Sequence, residues 1–296
     1  MKNNKYKGKE MFINEIHLEE GINKSMLPDT QSQKDARNIP IDKVGIKNLK
    51  YPISVKDPDN GVQHTVATIS MTVDLPKEFK GTHMSRFVEV LMNKREIEID
   101  SIYGILTEMQ KKLKARTAHI ELEFPYFKEK KAPVSGKPSL MDYRIKFHAV
   151  MNEDKKDLIM TVGVPVKTLC PCSKNISKYG AHNQRGEVTV SVRFLETVWI
   201  EEIIGYVEKS ASSELFTLLK RDDEKFVTEH AYENPVFVED VVRNVAMKLK
   251  ENKSILWYVV EAENFESIHN HNAYAMIESH KELSNGHYKD FMIKRY

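Results

Sequence analysis

Hydrophobic and polar positions alternate along much of this chain. Thr65, Ala67, Ile69, Met71, Val73 and Leu75 share one face of segment 62–75, the period-2 signature of a half-buried strand. A shorter strand is predicted at 51–56, and the Asp57-Pro58-Asp59-Asn60-Gly61 stretch between them has the turn chemistry of a hairpin. The period then lengthens. Helices are predicted over 85–92 and 101–114; in the second, Ile102, Ile105, Leu106, Met109 and Leu113 form one stripe, with Asp100 placed to cap it. Period 2 returns where Ala118, Ile120, Leu122 and Phe124 alternate with His119, Glu121 and Glu123, and again through Tyr143, Ile145, Phe147 and Ala149.

The second half repeats that order without evident residue identity. Segments 157–166 and 188–194 read as strands, the latter with Val188, Val190, Val192 and Phe194 on one face. Residues 199–216 carry a helical stripe of Ile200, Ile203, Ile204, Val207, Ala211 and Leu215. Asn234-Pro235 offers a cap and first turn for a helix reaching residue 250, with Val238, Val241, Val242, Val245 and Leu249 toward a core. Strands at 256–262 and 273–277 complete the pattern. The simplest architecture is α+β: a tandem pair of ββααββ modules whose antiparallel sheet carries helices on one face. The expected divisions are an arm at 1–38, polar over 24–38; a first module at 39–155; a second at 156–280 bearing most candidate site residues; and a charged tail at 281–296 that frays.

Composition narrows the function classes. With 41% hydrophobic and 30% charged residues among 296, the chain reads as a globular protein. A net charge of +2 gives no bulk attraction to nucleic acid or to a membrane surface. The basic start is followed by no apolar segment of the signal-peptide kind, and no apolar run approaches the roughly 20 residues that span a bilayer. The two cysteines, Cys170 and Cys172, are too few for a disulfide framework, so the cytoplasm is the expected compartment.

Candidate chemistry falls in three clusters. The first is Thr168-Leu169-Cys170-Pro171-Cys172-Ser173-Lys174, at the end of a predicted strand and the start of a long loop that continues through Tyr179-Gly180-Ala181-His182-Asn183-Gln184-Arg185. Thiolate is a soft ligand for zinc and similar ions, yet a lone Cys-x-Cys pair is more often buried packing than a metal site. His182 reads as a ligand, a proton-transfer group or an ordinary loop histidine. Lys174 and Arg185 are either solvated charges or partners for a phosphate-bearing substrate. The second cluster, 222–235, is an acidic stretch between two predicted helices; Glu239 and Asp240 follow in a first helical turn, where the helix dipole alone favours acids. The third, Asn264-Phe265-Glu266-Ser267-Ile268-His269-Asn270-His271-Asn272, joins the last two strands as a polar turn or a metal-binding pair. Taken together, Cys170, Glu224 and His269 make a mixed S/O/N set that leaves a coordination position for water.

These strings resemble those of the prokaryotic type IB GTP cyclohydrolases. The matching pieces are Asp29-Thr30-Gln31, Asp35-Ala36-Arg37-Asn38, Val44-Gly45-Ile46, Cys170-Pro171-Cys172-Ser173-Lys174 and Tyr179-Gly180-Ala181-His182-Asn183-Gln184-Arg185. Further on come Asp223-Glu224-Lys225, Ala231-Tyr232-Glu233-Asn234-Pro235, Phe237-Val238-Glu239-Asp240 and Glu266-Ser267-Ile268-His269-Asn270-His271. They span nearly the whole chain in order. His230 departs from the pattern, standing at a position expected to vary within a Thr-Glu-x-Ala-Tyr stretch.

The resemblance implies a tunnelling fold, a homotetramer with sites at subunit interfaces, and conversion of GTP and water to 7,8-dihydroneopterin triphosphate and formate with zinc, manganese or iron. By that analogy Cys170, His182, Glu224 and His269 hold or contact the metal, and Cys172 and His182 act as acid–base groups. Glu239 anchors guanine, since a carboxylate accepts from both N1–H and the exocyclic amine. Lys174 and Arg185 oppose the triphosphate, and Glu266 joins the substrate-binding set. Three other readings make distinct predictions: a relative forming a cyclic phosphate product, another tunnelling-fold enzyme that leaves GTP unchanged, and a metal-binding protein without turnover.

Overall fold

The computed structural model describes residues 28–92, 99–153 and 155–280. The arm before residue 28, the side chain of the expected cap Asp100 and the tail after His280 lie outside the described residues. The first half contains β1 (Ile41–Asp57), β2 (Gly61–Leu75), α1 (Ser85–Leu91), α2 (Ile99–Leu113), β3 (Thr117–Lys131) and β4 (Pro138–Asn152). The second contains β5 (Lys155–Leu169), α3 (Pro171–Ile176), β6 (Asn183–Phe194), α4 (Ile200–Glu208), β7 (Ser213–Glu214), α5 (Arg221–Glu233), α6 (Val238–Glu251), β8 (Ile255–Asn264) and β9 (Ala273–His280).

The class is α+β, and a single sheet runs through both halves in the order β1-β2-β3-β4-β5-β6-β8-β9, with β7 pairing β5 off that path. Neighbouring strands are antiparallel. The halves join through the β4–β5 ladder, from Arg144 opposite Gly163 to Asn152 opposite Lys155. Alternation sends Ala118, Ile120, Leu122 and Phe124 of β3 to one face, where they meet Ile102, Ile105, Leu106 and Met109 of α2. The same continuous core takes in Ile203, Ile204 and Val207 of α4 and Val241, Val242, Val245 and Leu249 of α6. Each fully buried side chain of this kind contributes on the order of 2 kcal/mol against the entropy of ordering the chain.

The opposite face of the sheet is polar at its first strands and covered in places at its centre. Ile159, Trp257 and Val259 form a small separate cluster there. Beside it Arg193 donates to both carboxylate oxygens of Asp157, at 2.7 and 2.9 Å, and its guanidinium lies 4.2 Å from the Trp257 ring centroid. Both groups of this ion pair are buried, so each satisfies a charge that would otherwise be costly to desolvate. This explains why β8 is buried along both faces instead of alternating. Among the described residues no helix is long and apolar enough to cross a membrane.

Three expected elements differ. The helix predicted over 199–216 stops at Glu208, and Ser213–Glu214 returns as β7 against Val166 and Lys167. The serines that follow explain the stop: Ser210 Oγ donates to the carbonyl of Tyr206, and Ser212 Oγ accepts from Leu169 N–H, so side chains compete for backbone partners. The acidic stretch between helices is itself helical, as α5, with Asp223 Oδ2 accepting the Lys220 N–H at its start. Asn234 consequently ends α5, donating to the carbonyl of His230, and α6 begins only after Phe237, whose N–H is accepted by Asp240. The second half thus carries α3, β7 and α5 beyond the ββααββ order predicted for it.

Candidate functional site at the end of the β5–β6 ladder

The thiol cluster begins where β5 ends. Leu169 is pinned there, its N–H donating to Ser212 and its carbonyl accepting from Val236 N–H at 3.1 Å. The next residue, Cys170, is the N-cap of α3, with its Sγ accepting the Ser173 N–H at 3.4 Å and Pro171 occupying the first helical turn, where no N–H is needed. The expected long loop is therefore interrupted by a short helix. It closes on itself because Cys170 N–H donates to the carbonyl of His182 at 3.1 Å. Ser173 Oγ completes the closure, donating to the Cys170 carbonyl and accepting the His182 N–H. Cys170 is half-buried and Cys172 exposed.

From His182 the chain enters β6. Gln184 points into the protein, is 8% exposed, and donates to Thr168 Oγ1 at 2.9 Å; its Oε1 lies 3.0 Å from His182 Nδ1. The β8 end is brought alongside by Phe265 N–H donating to the Arg185 carbonyl at 2.9 Å. Gly186 permits that approach: a Cβ there would meet Asn264 Oδ1 at 2.7 Å and the Glu263 carbonyl at 3.0 Å. Glu266 then places Oε2 3.6 Å from His182 Nδ1, with both side chains largely buried. Cys170, His182 and Glu266 are the predicted site residues that one chain draws together.

Cys172 and Lys174 share α3 with its Cys170 cap, the Lys174 N–H donating to the Cys170 carbonyl at 3.1 Å; the other predicted residues are exposed on neighbouring elements. Glu224 lies exposed near the start of α5. The C-terminal part of that helix is the part touching the loop, through Lys174, whose ammonium donates to the Tyr232 carbonyl and sits 4.4 Å from the Tyr232 ring centroid. Glu224 and Tyr232 belong to one helix, and eight residues at 1.5 Å each separate them by about 12 Å. Glu239 is exposed in the first turn of α6, and Arg185 is exposed on β6. His269 and His271 are exposed in the β8–β9 loop, their rings stacked at 5.0 Å. Among the described residues no three of His, Cys, Asp and Glu converge into a group that could hold a metal ion. Their chemistry suits a borderline-soft ion, but their placement in a single chain does not assemble the set.

Two groups escaped the sequence reading. Asp223, part of the acidic stretch expected between helices, is fully buried and accepts from Val134 N–H, Ser135 N–H and Ser135 Oγ as well as from Lys220. Burial alone would raise its pKa, but the Ser135 hydroxyl and these N–H donors outweigh it and hold the carboxyl below the usual range. The signal for the second, Gln184, was present: counting back in twos from Val188 through Gly186 puts it on the buried face of β6. His230, the departure from the expected pattern, stacks on Phe226 at 5.7 Å, an i,i+4 contact along the surface of α5.

A broad antiparallel sheet with helices on one face, closed by a Cys170–His182 backbone bond where two of its strands end, defines an α+β protein with a candidate site at the sheet margin. A family model described as type I GTP cyclohydrolase folE2 matches residues 27–275. Proteins named GTP cyclohydrolase FolE2 from Syntrophus aciditrophicus and Magnetococcus marinus are 60% and 58% identical to it. The first match covers 84% of this chain and 98% of that protein, the second 87% and 98%. The chain belongs to this GTP cyclohydrolase family. Among solved structures, a urate oxidase from Bacillus sp. TB-90 aligns over 82% of this chain and 100% of its own at TM-score 0.48 and 9% identity. A highly active BTUO mutant aligns over 81% and 100% at TM-score 0.50 and 7% identity, a likeness of fold alone.

Proposed function

We propose that this protein is a type IB GTP cyclohydrolase that converts GTP and water to 7,8-dihydroneopterin triphosphate and formate, the first step toward tetrahydrofolate, in the cytoplasm. Beyond family membership, the observation that carries the reading is the closure between Cys170 and His182 with Glu266 against the imidazole. That arrangement supplies a thiol and an ionisable ring on one fixed loop, as a reaction with several proton transfers requires.

In this reading water adds to C8 of guanine, the imidazole ring opens, formate leaves, and the ribose carbons rearrange to close the pterin. His182 and Cys172 move protons between these steps. Glu239 accepts from guanine N1–H and the exocyclic amine. Arg185 and Lys174 face the triphosphate, Lys174 after exchanging its contact with Tyr232 for phosphate oxygens. Glu266 serves the bound substrate beside His182.

The metal set of Cys170, His182, Glu224 and His269 is proposed to be completed between copies of the chain, because Glu224 and His269 are exposed and no three such residues converge among the described residues. This favours a homotetramer of tunnelling-fold modules with sites at its interfaces. A bound zinc, manganese or iron ion supplies Lewis acidity and a water of lowered pKa. Mass analysis of the product tests the assignment: a dihydroneopterin retaining three phosphates is expected. A cyclic phosphate product, or unchanged GTP, contradicts it.

A further inference from the structure

We infer that Gln184 is a positioning residue that fixes the tautomer of His182, holding the proton on Nδ1 and leaving the Nε2 lone pair available to the site. This rests on the proposed role of His182 as a working group of the reaction. The chain of contacts starts in the core. Thr168, fully buried on β5, lies directly opposite Gln184 on β6 and accepts its amide N–H at 2.9 Å. With the amide nitrogen so engaged, Oε1 is the atom turned toward His182 Nδ1, at 3.0 Å. A carbonyl oxygen only accepts, so Nδ1 must donate.

Glu266 favours the same state without fixing it, since it stands beyond hydrogen-bond distance. Its Oε2 is 3.6 Å from Nδ1, so a lone pair on that nitrogen would face a carboxylate, whereas an N–H is attracted to it. The reverse amide orientation would aim an N–H at Nδ1 and force its lone pair toward Glu266 as well. An acceptor on β6 and a carboxylate in the β8–β9 loop therefore face the same ring nitrogen. Among the described residues no hydrogen bond engages Nε2. Whether His182 takes a proton from substrate or ligates an ion, an unprotonated Nε2 is the form it needs, and outer contacts of this kind typically change affinity or activity about 10–100-fold when removed.

The test uses full-length, metal-free protein labelled with 15N-histidine, with the His182 signals assigned by their loss in His182→Gln. The wild type is expected to show Nδ1 as the protonated nitrogen and Nε2 as the unprotonated one. Gln184→Met keeps the side-chain length without the acceptor, and is expected to bring in the Nε2–H tautomer and to lower kcat about 10–100-fold with KM for GTP little changed. If Gln184→Met does not fold, Thr168→Val removes the amide's anchor and is expected to produce the same change in spectrum. A wild-type spectrum with the proton on Nε2, or a variant spectrum unchanged from wild type, overturns the inference. The spectra require no turnover, so an Nδ1–H signal lost on substitution in a protein that leaves GTP intact supports the positioning contact while sinking the cyclohydrolase reading.

Discussion

The N–H of Cys170 donates to the carbonyl of His182 at 3.1 Å, so the thiol that ends β5 and the imidazole that begins β6 are fixed to each other through backbone. A side-chain substitution leaves that bond in place. Cys170→Ala is therefore expected to abolish GTP turnover while costing at most about 1 kcal/mol of stability, the scale of a lost helix cap. Turnover assay paired with thermal unfolding checks this, and near-normal activity in the variant contradicts a role for the thiol.

Glu239 is exposed and sits in the first turn of α6, where no described neighbour depends on it for burial. Glu239→Ala should fold normally and lose its effect on substrate binding alone. Hydrogen bonds to a charged group are worth about 1.5–3 kcal/mol, so an affinity for GTP weakened about 10–100-fold is expected. Equilibrium binding of GTP decides it, and unchanged affinity removes Glu239 from the guanine site.

Asp223 links the turn after β3 to the start of α5 through Ser135 and Val134. Its folded pKa is depressed below the unfolded value. The contribution is accordingly present in full above the usual carboxylate pKa of about 4, and drains away as pH falls from there toward the depressed folded value. Asp223→Asn should lower the thermal midpoint near neutral pH, and the gap from wild type should narrow as acid is added below about pH 4. A gap that stays constant with pH argues against an ionised Asp223 as the tie.

Gly186 lets β6 approach the end of β8, which carries Glu266 to His182. Gly186→Ala is expected to destabilise by about 1–3 kcal/mol, the usual cost of overpacking, and to lower activity beyond what the residual folded fraction explains. Denaturant unfolding and turnover on the same samples test both parts. A variant as stable and active as wild type shows that the strands separate at no cost.

The sheet was legible wherever one face is apolar: Thr65 to Leu75 and Ala118 to Phe124 follow their period closely, and the structure lengthens those strands without shifting their faces. The pattern misled where polar side chains bind backbone. Ser210 and Ser212 end a helix whose apolar stripe continues past them, through Ala211 and Leu215. Acidic residues disguised α5, because an exposed helix with few buried positions resembles a loop in composition. Cys170 and His182 were recognised as types at suitable spacing, but the bond between them is made by backbone, which leaves no residue signature. Glu224 and His269 are exposed, and the periodicity of a chain does not state what an exposed residue faces.

The most direct measurement uses GTP labelled with 14C at C8 and protein reconstituted with zinc or manganese. The account predicts that the label appears in formate, matched mole for mole by a dihydroneopterin product that becomes fluorescent on oxidation. Folded, reconstituted protein that leaves the label in GTP, or releases it in any other compound, contradicts the account.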